Sequence, residues 1–132
     1  MTKEQFLALR ALLANRYQVI DYLGKAQCVP LSFPKIDRKY SPYQAYLKTW
    51  RGFRLAKDGK QSYCWVFDTD SIKKHELSAD DCIIVFDSDR TNNVPIDHFQ
   101  ITGIEEHEDN TLVFLRYLKQ SEWKFEAVSF NL

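Results

Sequence analysis

The sequence predicts an α+β domain, with two N-terminal helices followed by a mostly antiparallel sheet of about six strands. Three observations carry this expectation. Apolar residues recur at helical three- and four-residue steps only near the start of the chain. From residue 52 onward the apolar period becomes two. The turns between the later apolar runs are short, which favours antiparallel neighbours. A length of 132 residues fits one domain, mainly helical over 1–51 and mainly β over 52–132.

Thr2 followed by Gln5 reads as a capping box, with Thr2 as N-cap. Phe6, Leu9, Leu13, Tyr17, Ile20 and Leu23 then form one apolar stripe, which predicts a helix over 3–23. Gly24 fits the position just past its end, where a left-handed conformation is common. Residues 25–41 contain Pro30 and Pro34 and read as a connecting loop. Ser41 with Pro42 starts a second, short helix from 42 to about 50, carrying Tyr43, Tyr46, Leu47 and Trp50.

Phe53 and Leu55 alternate with Arg54 and Ala56, and Tyr63, Trp65 and Phe67 alternate with Cys64 and Val66. Asp58-Gly59 between them is a hairpin signal, because a type I′ turn needs positive φ at both positions. Strands are expected near 52–57 and 60–68. A helical turn is expected over 71–77. Cys82 to Phe86 is a continuous apolar run, as in a strand buried on both faces. Asn92-Asn93 reads as a turn, 94–106 as extended with a bulge or bend at Gly103, and Glu108-Asp109-Asn110 as a turn into 111–118. A last strand is expected from Trp123 to about Phe130.

Composition excludes several function classes. Gly24, Gly52, Gly59 and Gly103 are too scattered to form a phosphate cradle, a dinucleotide fingerprint or a G-x-S-x-G elbow. Apolar runs of about five residues are far short of the roughly 20 that span a bilayer. No secretory leader is expected at Met1-Thr2-Lys3-Glu4-Gln5. Cys28, Cys64 and Cys82 are odd in number and form no C-x-x-C, so neither a disulfide framework nor a thiolate zinc site is expected. These features suit a reducing, cytoplasmic setting, with no cofactor and no membrane partner.

The 18 basic and 18 acidic residues cancel, which argues against a uniformly basic coat protein. They are unevenly spread. Residues 1–34 carry +2, residues 35–63 carry +6 and residues 64–132 carry −8. Such asymmetry signals either a charged partner or pairing between the halves of the fold.

Val66-Phe67-Asp68-Thr69-Asp70 recurs as Val85-Phe86-Asp87-Ser88-Asp89. Paired carboxylates at strand ends suit hard cations, and they also end strands by bonding nearby backbone. Asp87-Ser88-Asp89-Arg90-Thr91 resembles the D-x-D-x-T of haloacid-dehalogenase-type phosphatases. The resemblance implies a nucleophile at Asp87 and an acid/base at Asp89. That family is a parallel α/β fold, whereas the 41 residues after Thr91 read as an antiparallel meander. His75, His98 and His107 form no metal-ligand spacing. Asp97 and His98 are adjacent on a strand and point to opposite faces, so Asp97 cannot orient His98 toward Cys64 or Cys82.

Two surfaces remain. Glu105, Glu106, Glu108 and Asp109, with Asp87 and Asp89, are the candidates for docking a basic protein. Arg38, Lys39, Tyr43, Lys48, Arg51, Arg54 and Lys57, within the basic aromatic segment 38–63, are the candidates for nucleic-acid contact. The leading expectation is a non-catalytic binding protein of the inhibitor or immunity type. A nucleic-acid-binding or phage- or defence-related accessory domain is second. A small metal-dependent hydrolase using the D-x-D pairs is third.

Overall fold

A computed structural model describes residues 2–24, 27–31, 50–73, 76–86 and 95–118. The described elements are α1 (Lys3–Ala14), β1 (Gln18–Gly24), β2 (Gln27–Leu31), β3 (Trp50–Lys57), β4 (Lys60–Asp68), α2 (Thr69–Lys73), β5 (Cys82–Phe86), β6 (Pro95–His107) and β7 (Asn110–Leu118). The strands form one seven-stranded sheet in the order β1-β3-β4-β7-β6-β5-β2, and every described neighbour pair is antiparallel. The class is therefore α+β.

The capping box holds. Gln5 N–H donates to Thr2 Oγ1, and Thr2 N–H donates to Gln5 Oε1. The helix ends at Ala14, not at residue 23. The Arg16 and Tyr17 amides both donate to Leu13 O, which turns the chain out of the helix. Tyr17 and Val19 are then half-buried while Gln18 and Ile20 are exposed, a period of two. Aromatic and β-branched residues fit such a pleated surface, and β3 supplies the partner, with Val19 opposite Leu55. Gly24 is consequently a strand residue opposite Trp50 rather than a helix cap.

Residues 27–31, expected as loop, form β2 against β5. Pro30 is compatible because β2 is an edge strand among the described residues, where one side of the backbone makes no ladder bonds to them. The first part of the chain thus contains two strands beside α1, and residues 32–49 lie outside the described residues. Most of the second helix, expected over 42–50, lies outside the described residues, and Trp50 opens β3. The Asn92-Asn93 turn and the last strand also lie outside them. The helical turn expected over 71–77 comes earlier, as α2.

Both faces of the sheet are apolar. On one, α1 lays Phe6, Leu9 and Leu13 on Phe53, Leu55, Cys64, Val66 and Leu112. The other gathers Trp65, Phe67, Ile72, Ile83, Phe99, Ile101, Val113 and Leu115. Burial on both faces explains why Cys64, Trp65, Val66 and Phe67 are all buried in succession. Cys82 and Ile83 are likewise buried on opposite sides of β5, one strand in from the edge. Each large buried side chain contributes about 1.5–3 kcal/mol. Phe6 is the helix anchor. Its ring stacks on Phe53 at 4.7 Å, and the Arg51 guanidinium lies 3.7 Å from its centroid. Gly52 stands opposite Trp65, and a Cβ there would collide with Cys64 O and Trp65 Cα.

A bulge interrupts β6, as Gly103 suggested. Ile101 pairs with Leu115, but Gly103 pairs with Phe114. One extra residue reverses the in–out phase of the strand. Ile101 and Ile104 therefore share the Trp65 face, while Glu105 is moved to the α1 face.

Candidate functional site

The antiparallel ladder brings the end of β4 beside the start of β7, with Asp68 opposite Asn110. His107 pairs with Asn110, so Glu108 and Asp109 are the two loop residues of the β6–β7 turn. Asp68, Asp70, Glu106, Glu108 and Asp109 are all exposed. Three chain segments, the end of β4, the start of α2 and the β6–β7 turn, thus gather carboxylates at one end of the sheet.

Thr69 ties these segments together. Its amide donates to Asp109 O at 2.9 Å. Its hydroxyl donates to Glu108 O at 3.1 Å and lies 2.9 Å from Thr111 Oγ1. A hydroxyl has one proton, so the Thr111 hydroxyl donates to Thr69 in turn. Glu108 has φ of 51°, which is uncommon for a residue with a long side chain. The Thr69 bonds hold it there.

Glu105 has a different role from its neighbours. Arg16 contacts both its carboxylate oxygens, at 2.9 and 3.2 Å, and His107 Nε2 lies 3.3 Å away. The hydrogen bond from Arg16, with a smaller one from His107, holds the Glu105 carboxyl below its ordinary range. The same bond raises the Arg16 guanidinium. Arg16 also lies over the Phe114 ring at 5.5 Å. Part of the sequence's charge asymmetry is therefore resolved inside the fold. Asp21 meets Arg10 at 3.3 Å, a pair within the 1–34 segment.

Of the acidic candidates, Glu106, Glu108 and Asp109 stand together and face solvent, Glu105 is engaged, and Asp87 and Asp89 lie outside the described residues. Of the basic candidates, Arg38, Lys39, Tyr43 and Lys48 lie outside them too. Arg51 and Lys57 are on the α1 face of β3, where Arg51 covers Phe6 and Lys57 approaches the Tyr17 ring at 5.8 Å. Arg54 alternates to the opposite face. The described cations of that segment are thus divided between two faces.

Sequence reasoning did not single out Thr69, which it read only as the spacer of a D-x-D pair. Nor did it single out Asn110, which is 6% exposed and lines a cleft of about 250 Å³ between Gln5, Ala8 and Leu9 of α1 and the turn residues 107–110. A polar residue beginning a strand just after a turn was the available signal.

Burial pushes the Cys82 thiol up to about 12, with the Asp81 charge adding to it, and burial raises Cys64 as well. Both stay protonated at neutral pH, so neither is an activated nucleophile. Among the described residues, no group of three or more His, Cys, Asp or Glu side chains is arranged to hold a metal. Among them, no helix is long and apolar enough to cross a membrane.

Comparison with protein-family models, curated proteins and solved structures returns no match. The functional reading rests on the geometry of the chain itself.

Proposed function

We propose that this chain is a non-catalytic binding protein that docks a basic protein partner on the acidic end of its sheet, in the manner of an inhibitor or immunity-type protein. One observation carries the reading. Asp68, Asp70, Glu106, Glu108 and Asp109 are exposed at one sheet end, on segments fastened to each other through Thr69. Carboxylates of one sign on a shared surface steer a cationic partner and speed its association. A backbone already held in position loses less freedom on binding than a mobile loop would. The engaged state of Arg16, Arg51 and Lys57 within the fold also supports an acidic rather than a basic docking surface.

Capture from cell lysate in the presence of nuclease tests this. The native chain is compared with the variant Glu106→Gln/Glu108→Gln/Asp109→Asn. The expected result is a stoichiometric protein partner whose binding weakens with added salt and falls about tenfold or more in the variant. Equal capture by the variant, or loss of every partner on nuclease treatment, contradicts the proposal. The second outcome favours nucleic-acid contact.

A further inference from the structure

The two edge strands of the described sheet are unlike each other. β2 carries Pro30, which cannot donate a ladder bond and so guards its edge against further pairing. β1 has no such guard. It pairs with β3 over seven successive residues without a register shift, and it contains neither Pro nor Lys. Every second residue of an edge strand points its N–H and C=O away from the sheet. The outer side of β1 is therefore a regular row of donors and acceptors, with no partner strand among the described residues. Ile20, near the middle of β1, is 62% exposed, more than any other large apolar residue described. Asp21 is the only charged residue of β1, and Arg10 meets it at 3.3 Å. The edge is thus regular in backbone, apolar near its centre and locally neutral.

We infer that β1 pairs with β1 of a second copy of this chain, antiparallel about a two-fold axis at Ile20. A two-fold axis sets one surface patch against itself, so the patch must be self-complementary. With the axis at Ile20, Ile20 faces Ile20 of the second copy, and Val19 faces Asp21. Moving the axis to Asp21 sets two carboxylates directly opposite each other, which is destabilising. Moving it to Val19 centres the contact on a residue already half-buried against the α1 cluster, and the free apolar surface belongs to Ile20. Each copy brings its own Arg10–Asp21 pair, so the junction carries no net charge. A neutral edge of this kind matches another copy of itself rather than a strongly charged partner. The pairing uses none of the carboxylates of the β6–β7 turn and is independent of the docking reading.

The test is analytical ultracentrifugation of the full chain over a range of concentrations, with Ile20→Glu and Ile20→Lys run alone and as an equimolar mixture. Position 20 is exposed and opposite Arg54, so glutamate there meets an opposite charge within its own sheet and keeps the fold. The native chain is expected to dimerise reversibly, with a Kd in roughly the micromolar range. Ile20→Glu removes the apolar contact and places two carboxylates at the axis, so its dimer should be at least about tenfold weaker. Ile20→Lys alone should fail in the same way. The mixture should recover a dimer, because unlike charges then meet at the axis. A native chain that stays monomeric up to about 1 mM overturns the inference. A dimer untouched by both substitutions overturns it as well, since the contact then lies elsewhere. Failure of the mixture to recover a dimer overturns the two-fold register at Ile20.

Discussion

Asp58-Gly59 and Glu108-Asp109 are both two-residue hairpin turns, and they lie at opposite ends of β4. Asp58 and Gly59 take φ of 53° and 77°, the left-handed values a type I′ turn requires. Both residue types adopt them readily, and nothing lies within 4 Å of where a Gly59 Cβ would be. That turn carries its own conformation and is flanked by exposed Lys57 and Lys60. Glu108 has no such local preference. Its turn depends on Thr69 from α2 and is walled by the first half of α1. The first turn is set by its own two residues, whereas the backbone of the second is held by Thr69 from another segment.

The sharpest way to break this comparison is to remove the support. Phe6→Ala deletes the anchor between Phe53 and Arg51 and is expected to destabilise the protein by about 3–5 kcal/mol in urea unfolding. Short of global unfolding, hydrogen exchange at 107–110 should accelerate more than at 57–60. Equal acceleration at both turns would remove the distinction between them.

Thr69→Val keeps shape and removes the hydroxyl. The Glu108 carbonyl and the buried Thr111 hydroxyl each lose a partner, at a cost of about 1–3 kcal/mol. Exchange at the Glu108 and Asp109 amides should rise, with the Asp58-Gly59 turn unaffected. At the other end, Gly59→Ala strains a positive φ without any clash, for about 1–2 kcal/mol confined to that hairpin. Partner capture should not change.

The smallest effect concerns Glu105. Its folded pKa lies below the ordinary value of 4.5, so its contribution is complete above that pH and is lost as pH falls through the folded value. The pair with Arg16 is more than a third exposed, so about 0.2–1 kcal/mol is at stake. Glu105→Gln should flatten stability against pH below about 4.5, and only there. An unchanged acid limb would show that the pair contributes nothing.

What could be read in advance follows the same division. The capping box, the β3–β4 hairpin and the bulge at Gly103 are local, because each is set by residue types at fixed short spacing. The acidic cluster at Glu106, Glu108 and Asp109 was also legible as composition. The end of α1 was not, since Tyr17, Ile20 and Leu23 fit a three-residue step as well as they fit a strand. The preference for β1 comes from β3, some thirty residues along the chain. Pro30 hid β2 because its tolerance depends on the strand being at an edge, a property of the whole sheet. The pairing of Arg16 with Glu105 needed both the bulge and the packing of α1. The role of Thr69 needed the ladder that sets β4 beside β7.

The central claim is that the supported turn, not the self-sufficient one, is the docking surface. Capture from lysate with nuclease present tests it most directly when two variants are run side by side. The account predicts that Lys57→Gln/Lys60→Gln retains the protein partner, while Glu106→Gln/Glu108→Gln/Asp109→Asn loses it. Loss in the lysine variant with retention in the carboxylate variant would contradict it.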